Sequence, residues 1–171
     1  MVLVSSKILN NKFYIMRHSI PDMSYRGSYN EMPGPNLSDE GKELAADSVK
    51  KLPEKPTVII SSPFARAKQT AEIVARILGI PVVEDDSLRE LESAETRQDV
   101  FERVRATADK FKDGEVPLLV THGAEIASLL DPDSDMGVTL VNRGISMGSI
   151  WVVDKDGTVT PVFLPDSTIV F

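Results

Sequence analysis

The chain has 171 residues, no cysteine and a formal charge of −7, with a pI near 4.9. Without cysteine there is no disulfide scaffold, no thiol nucleophile and no thiolate-ligated zinc or iron–sulfur site. An acidic chain also lacks the basic surface that DNA, RNA and anionic membranes require. One compact domain spanning residues 1–171 is expected, since folding at this size removes roughly 70% of the unfolded chain's surface from water.

Residues 1–11 leave two readings open, an edge strand from Met1 to Val4 or a loose arm. Phe13–Met16 and Val116–Val120 are the longest apolar runs, too short for a membrane span or a signal-peptide core. A cytoplasmic protein is the default expectation. Asn36-Leu37-Ser38 matches a glycosylation acceptor, a tripeptide common by chance.

In chain order, residues 13–17 read as a buried strand. Residues 19–37, punctuated by Pro21, Gly27, Pro33, Gly34 and Pro35, read as a long loop of the kind that usually serves function. Ser38 reads as the cap of a helix to about residue 51, with Asp39 and Glu40 in its first turn and Leu44, Ala45, Ser48, Val49 and Leu52 on one face. Val58–Ile60 is a second strand. It leads into "SSPFARAKQTAEIVARILG", where Ser62 is the predicted cap, Pro63 suits the first helical position, and Phe64, Ala67, Ala71, Val74 and Leu78 repeat at helical spacing.

Val82-Val83 is a short third strand. The periodicity of Val100, Val104, Ala108 and Phe111 predicts a helix over 95–112. "PLLVTHG" is the fourth strand, Ala124–Leu130 begins a helix closed by Asp131-Pro132, and Ile150–Val153 with Val159–Leu164 reads as a hairpin around Asp154–Gly157. Strands alternating with helices predict an α/β three-layer αβα sandwich. Its sheet is mostly parallel, with a C-terminal antiparallel hairpin.

In such sheets ligands bind beyond the carboxyl ends of the strands. The chain has two histidines, and each directly follows an apolar strand, in "FYIMRH" and "PLLVTH". Arg17 ends the first strand, and Arg66 falls in the first turn of the helix after the second, where backbone N–H groups already favour an anion. Two arginines, two histidines and a helix N-terminus converging on one point suit phosphate. Each residue alone has a plainer reading, as a hydrogen-bonded structural histidine or a surface arginine. A metal held by the histidines with an Asp or Glu is the competing functional reading, but no HExxH pair occurs and flanking arginines repel a cation. GxxxxGK[ST], GxGxxG and GxSxG are all absent.

These residues resemble the histidine phosphatase superfamily, also called phosphoglycerate mutase-like. "MRHS" is similar to its Arg-His-Gly signature. "SSPFARAKQTAEIVA" resembles its Ser-Ser-Pro-x-x-Arg-Ala-x-Gln-Thr-Ala block, and "LLVTHGAEIASLL" its second-histidine segment. "PNLSDEGKELA", "SLRELES" and "AETRQDVFERV" are weaker likenesses, and the whole spans about residues 12–154. Ser19 departs from the motif glycine, which implies a different backbone after His18 or an extra hydroxyl presented to the anion. The chain also lacks the Gly-x-Trp-Glu-Gly stretch between Glu90 and Glu95.

The resemblance implies a metal-independent, cofactor-free phosphatase of short type, acting on small phosphate monoesters through a phosphohistidine on His18. Arg17, Arg66 and His122 would bind the phosphoryl oxygens, with His122 also catalytic. Glu90 would be the general acid, its pKa raised by desolvation; Glu92 and Glu95 remain alternatives, and all three have a surface-charge reading. The partner implied is a small phosphorylated molecule or a phosphorylated protein side chain, with neither nucleic acid nor membrane. Competing readings are a protein phosphohistidine phosphatase, a phosphoglycerate mutase and a non-catalytic phospho-ligand sensor. Tyr25, Arg26 and Tyr29, in the loop after His18, are expected either to border the pocket or to be packing and solvated positions. Oligomeric state is left open.

Overall fold

The structure is a computed structural model that describes residues 9–131, 133 and 135–165. The two readings of Met1–Val4 fall outside these residues. Among them, six strands form one sheet in the order β3-β2-β4-β1-β5-β6. The strands are β1 (Phe13–Arg17), β2 (Val58–Ser61), β3 (Val82–Glu84), β4 (Pro117–Thr121), β5 (Ile150–Val153) and β6 (Val159–Phe163). The first four in spatial order pair parallel, and β5 and β6 add the expected antiparallel hairpin.

Alternation along β1 builds the two cores. Phe13 and Ile15 face α3 (Arg97–Ala108) and α4 (Gly123–Leu130), packing with Val100, Val104 and Ile126. Tyr14 and Met16 face the opposite layer, packing with Val49 of α1 (Asp39–Val49) and Ala67, Ala71 and Val74 of α2 (Ala65–Leu78). A period of two in the strands and 3.6 in the helices thus gives the three layers.

Several boundaries differ from expectation. α2 starts at Ala65 with Phe64 as its N-cap rather than Ser62, because the Ser62 hydroxyl is engaged by His122 as well as by the Phe64 N–H. α1 ends at Val49, where the Lys50 N–H turns back to Asp47 and Ser48. α3 is shorter at both ends: Thr96 and Asp99 form a capping box that sets its start, and a turn at Gly114, with φ 90°, follows it. Phe111 lies beyond the helix but still packs on the core. A 3-10 turn at Asp86–Leu88 and a short helix α5 (Met136–Asn142) were not expected. Among the described residues no helix is long and apolar enough to cross a membrane.

Candidate active site

The register of β1 on β4 pairs Arg17 with Thr121, and the His18 N–H donates to the Thr121 carbonyl at 2.9 Å. The next residue on each strand is a histidine, so His18 and His122 emerge side by side with ring centroids 5.3 Å apart. β4 lies between β1 and β2, so the start of α2, which follows β2, borders the same point. It brings Arg66 Nε to 3.3 Å from His18 Nε2.

His18 Nδ1 sits 2.8 Å from the Ser19 carbonyl oxygen. A carbonyl only accepts, so Nδ1 carries the proton and Nε2 keeps its lone pair, as its contact with the Arg66 N–H also requires. Burial pushes the His18 pKa well below the ordinary histidine value, and His122, Arg17 and Arg66 push it the same way. The ring is neutral at pH 7, with Nε2 its nucleophilic atom.

Ser19 does not offer its hydroxyl to an anion. Its Oγ donates to the Gly41 carbonyl at 2.6 Å, and its N–H donates to Thr70 Oγ1 at 3.0 Å. The motif's glycine is not needed here, since no described non-glycine residue has positive φ. The close approach instead falls on Gly41, where a Cβ would meet the Ile20 carbonyl oxygen at 2.0 Å.

Arg17 is buried and donates from Nη1 to the Ile145 carbonyl at 2.7 Å. Burial pushes its pKa down to about 10, which still leaves it charged. Gly123 makes room for it, because a Cβ there would lie 3.2 Å from the guanidinium carbon. Arg66 is also buried, and its Nη1 has no hydrogen-bond partner among the described residues. A buried guanidinium nitrogen left unsatisfied is a donor waiting for an anion.

Glu90 lies in this pocket, with Oε2 accepting from Arg66 Nη2 at 2.9 Å and 3.3 Å from His122 Nδ1. Of the three glutamates considered, Glu92 pairs with Arg89 and Glu95 with Arg103, so Glu90 is the one at the site. The expectation of a raised pKa is corrected for the unliganded protein. Burial does push the Glu90 carboxyl up, but His122 and Arg66 outweigh it and hold the carboxyl far below the usual range. Its segment is tied down by Thr121 Oγ1 donating to the Leu88 carbonyl and by Arg103 donating to the Ser87 carbonyl.

Ser62 has a role that the sequence did not reveal. Its Oγ accepts from the Phe64 N–H and lies 2.8 Å from His122 Nε2. With Nδ1 facing the Glu90 carboxylate, the consistent arrangement has Ser62 donating to Nε2 and the ring proton on Nδ1. Burial lowers the His122 pKa against the opposing pull of Glu90, so this ring too is neutral at pH 7; it is fully buried and turns its Nδ1–H to Glu90, which lines the cleft.

The cleft over this cluster has a volume near 360 Å³. Arg17, His18, Arg66 and Glu90 lie at its floor, and Tyr29, Asn30 and Met147 are part of its wall. Tyr29 borders the cleft as expected of the loop, whereas Tyr25 packs behind it at 5.8 Å and Arg26 is exposed. Met147 belongs to the stretch before β5, where the sequence carried no signal of a site. Among the described residues no group of three or more His, Cys, Asp or Glu side chains is placed to hold a metal ion.

The sequence profile of the histidine phosphatase superfamily (branch 1) matches residues 13–93, a span containing Arg17, His18, Arg66 and Glu90. Over that span, a little under half of the chain, the sequence is similar to the histidine phosphatase superfamily. Its curated relatives include the "Probable phosphoglycerate mutase GpmB" of Escherichia coli O1:K1, 24% identical, with 89% of this chain and 95% of that protein covered. YhfR of Bacillus stearothermophilus shares the fold with a TM-score of 0.69 at 22% identity, over 94% of this chain and 99% of that one. The putative phosphohistidine phosphatase SixA of Agrobacterium tumefaciens does so at 0.65 and 19% identity, over 91% and 97%. His122, outside the matched span, is placed beside His18 by the β1–β4 register.

Proposed function

We propose that this chain is a member of that superfamily and a metal-independent phosphatase that hydrolyses small phosphate monoesters through a phosphohistidine on His18. The observation that carries the reading is the His18 ring, locked by Ser19 with its Nε2 lone pair facing the cleft beside Arg66. In the first step Nε2 attacks phosphorus in line, the P–O bond to the alcohol breaks, and the leaving oxygen takes a proton from Glu90. Arg17, Arg66 and the His122 Nδ1–H hold the three non-bridging oxygens, where charge is concentrated in the transition state.

Glu90 starts this cycle ionised. An incoming phosphate dianion draws Arg66 and His122 to its own oxygens and sets negative charge beside the carboxylate. Both changes raise the proton affinity of Glu90, so substrate binding itself loads the acid. In the second step Glu90, now a carboxylate, takes a proton from water as the water oxygen attacks phosphorus and the P–N bond breaks, releasing phosphate and neutral His18. Hydrolysis of an alkyl phosphate in excess chelator tests the reading: full turnover is expected, and loss of activity on chelation overturns the metal-free part.

The likeness to a probable phosphoglycerate mutase favours a second reading, in which phospho-His18 returns its phosphoryl group to a substrate hydroxyl. Activity that depends on a bisphosphorylated primer would select it over hydrolysis.

A further inference from the structure

The wall of the cleft differs in character from its floor. Among the described residues lining it, the cationic side chains are Arg17 and Arg66, both committed to the phosphoryl position at the base. Besides neutral His18 at the base, the remaining lining residues are Pro21, Met23, Tyr29, Asn30 and Met147, together with Glu90. A leaving group carrying a carboxylate or a second phosphate would therefore meet the Glu90 carboxyl, the Asn30 amide and apolar side chains, with no further cation among these residues to pair with it.

The apolar wall is built rather than incidental. Tyr29 is held edge-to-face by Tyr25 at 5.8 Å and donates its hydroxyl to the Asp22 carbonyl at 3.3 Å. Arg66 stacks 5.9 Å from the Tyr29 ring, which ties the wall to the phosphate cradle. Met23 and Met147 add flexible thioethers that adapt to a ring. The volume near 360 Å³ exceeds the roughly 150 Å³ that encloses a benzene in an apolar cavity. There is space for a phosphate and one aromatic ring.

We propose that the cleft selects monophosphates of apolar, uncharged alcohols, ring-bearing alcohols above all, and discriminates against phosphorylated carboxylic acids. This rests on the phosphate-binding reading of the floor and adds the identity of the leaving group. Calorimetric titration with benzylphosphonate and 2-carboxyethylphosphonate compares the two classes on one non-hydrolysable headgroup. The benzyl compound is expected to bind at least tenfold tighter. In a Tyr29→Ala variant that ratio should fall severalfold toward unity, and because both ligands meet the same sample it is insensitive to a loss of folded protein.

Equal affinities, tighter binding of the carboxylate, or no measurable binding of either compound overturns the proposal. So does a ratio unchanged by Tyr29→Ala. Turnover of benzyl phosphate, measured beside these titrations, separates the two questions. Benzyl selectivity without turnover overturns the phosphatase reading and leaves the leaving-group assignment standing.

Discussion

His18 and His122 lie edge to face with ring centroids 5.3 Å apart, because the residue before each is paired in the parallel register of β1 on β4. The two rings present different atoms: His18 lines the cleft with a lone pair, and fully buried His122 turns an N–H to Glu90 at its edge. Ser19 sets the first tautomer and Ser62 the second.

Ser62→Ala should leave His122 in place and remove the bond that keeps its proton on Nδ1. Steady-state kinetics should show kcat reduced about tenfold or more, short of the 10²–10³ typical of deleting a transition-state donor itself, with KM little changed. Ser62→Thr, which keeps the hydroxyl, should recover most of the rate. An unaltered kcat in the alanine variant would remove Ser62 from the account.

Glu90→Gln keeps the size of the side chain but cannot carry the proton. For an alkyl phosphate kcat should fall by about 10²–10⁴, the usual range for a general acid. The loss should be far smaller for p-nitrophenyl phosphate, whose leaving oxygen needs little protonation. Equal losses on both substrates would mean that Glu90 acts through its ion pair with Arg66 and not as an acid.

Both histidines are buried neutral, with pKa values held below the ordinary range by burial and, for His18, by the neighbouring cations. In the unfolded chain each takes up a proton as pH falls through about 6.5, while the folded protein does not. Stability is therefore unaffected by these groups above that pH and declines below it, by up to about 1.4 kcal/mol per pH unit for each. Urea unfolding at pH 7, 6 and 5 should show a steeper acid loss for the wild type than for His18→Asn. Parallel pH profiles would contradict the neutral assignment.

Arg103 joins Glu95 to Glu125, whose side chain is fully buried and whose Oε2 has no hydrogen-bond partner among the described residues. Arg103→Met leaves that carboxyl without its cation and should cost about 3–5 kcal/mol, seen as a lower urea midpoint. Burial pushes the Glu125 pKa up, so the folded variant keeps a proton that the unfolded chain loses. Arg103 opposes that shift in the wild type, so both proteins lose stability as pH rises above about 4.3, the ordinary glutamate value, and the deficit should widen only at higher pH, where the wild-type carboxyl ionises and the variant's does not. Adding Glu125→Leu should restore much of the stability; failure to do so would place the cost in the anchoring of the Glu90 segment instead.

The placement of Arg17, His18, Arg66 and His122 was legible in the sequence because each polar residue interrupts an apolar run at a strand end or opens the next helix. Glu90 could be found only through its likeness to a family segment, since nothing local separates it from Glu92 and Glu95. The direction of its pKa shift was not readable at all, being set by Arg66 and His122 from other elements. Helix α5 escaped notice for a local reason: "MGVTLVN" holds a glycine and three β-branched residues, poor helix formers, and follows the Pro- and Asp-containing sequence "DPDSD". Ser62 looked like a cap because serine is a favoured N-cap residue and Pro63 suits the first helical position; its pairing with His122 depends on β2 and β4 being neighbours.

The central claim is that His18 Nε2 becomes covalently phosphorylated. Rapid acid-free denaturation of the enzyme during turnover of a ³²P-labelled alkyl phosphate, followed by peptide mapping, measures this directly. The account predicts label that survives alkali, is lost in acid, and maps to the peptide containing His18, with none in His18→Ala. Label on another residue, or undiminished turnover by His18→Ala, would contradict it.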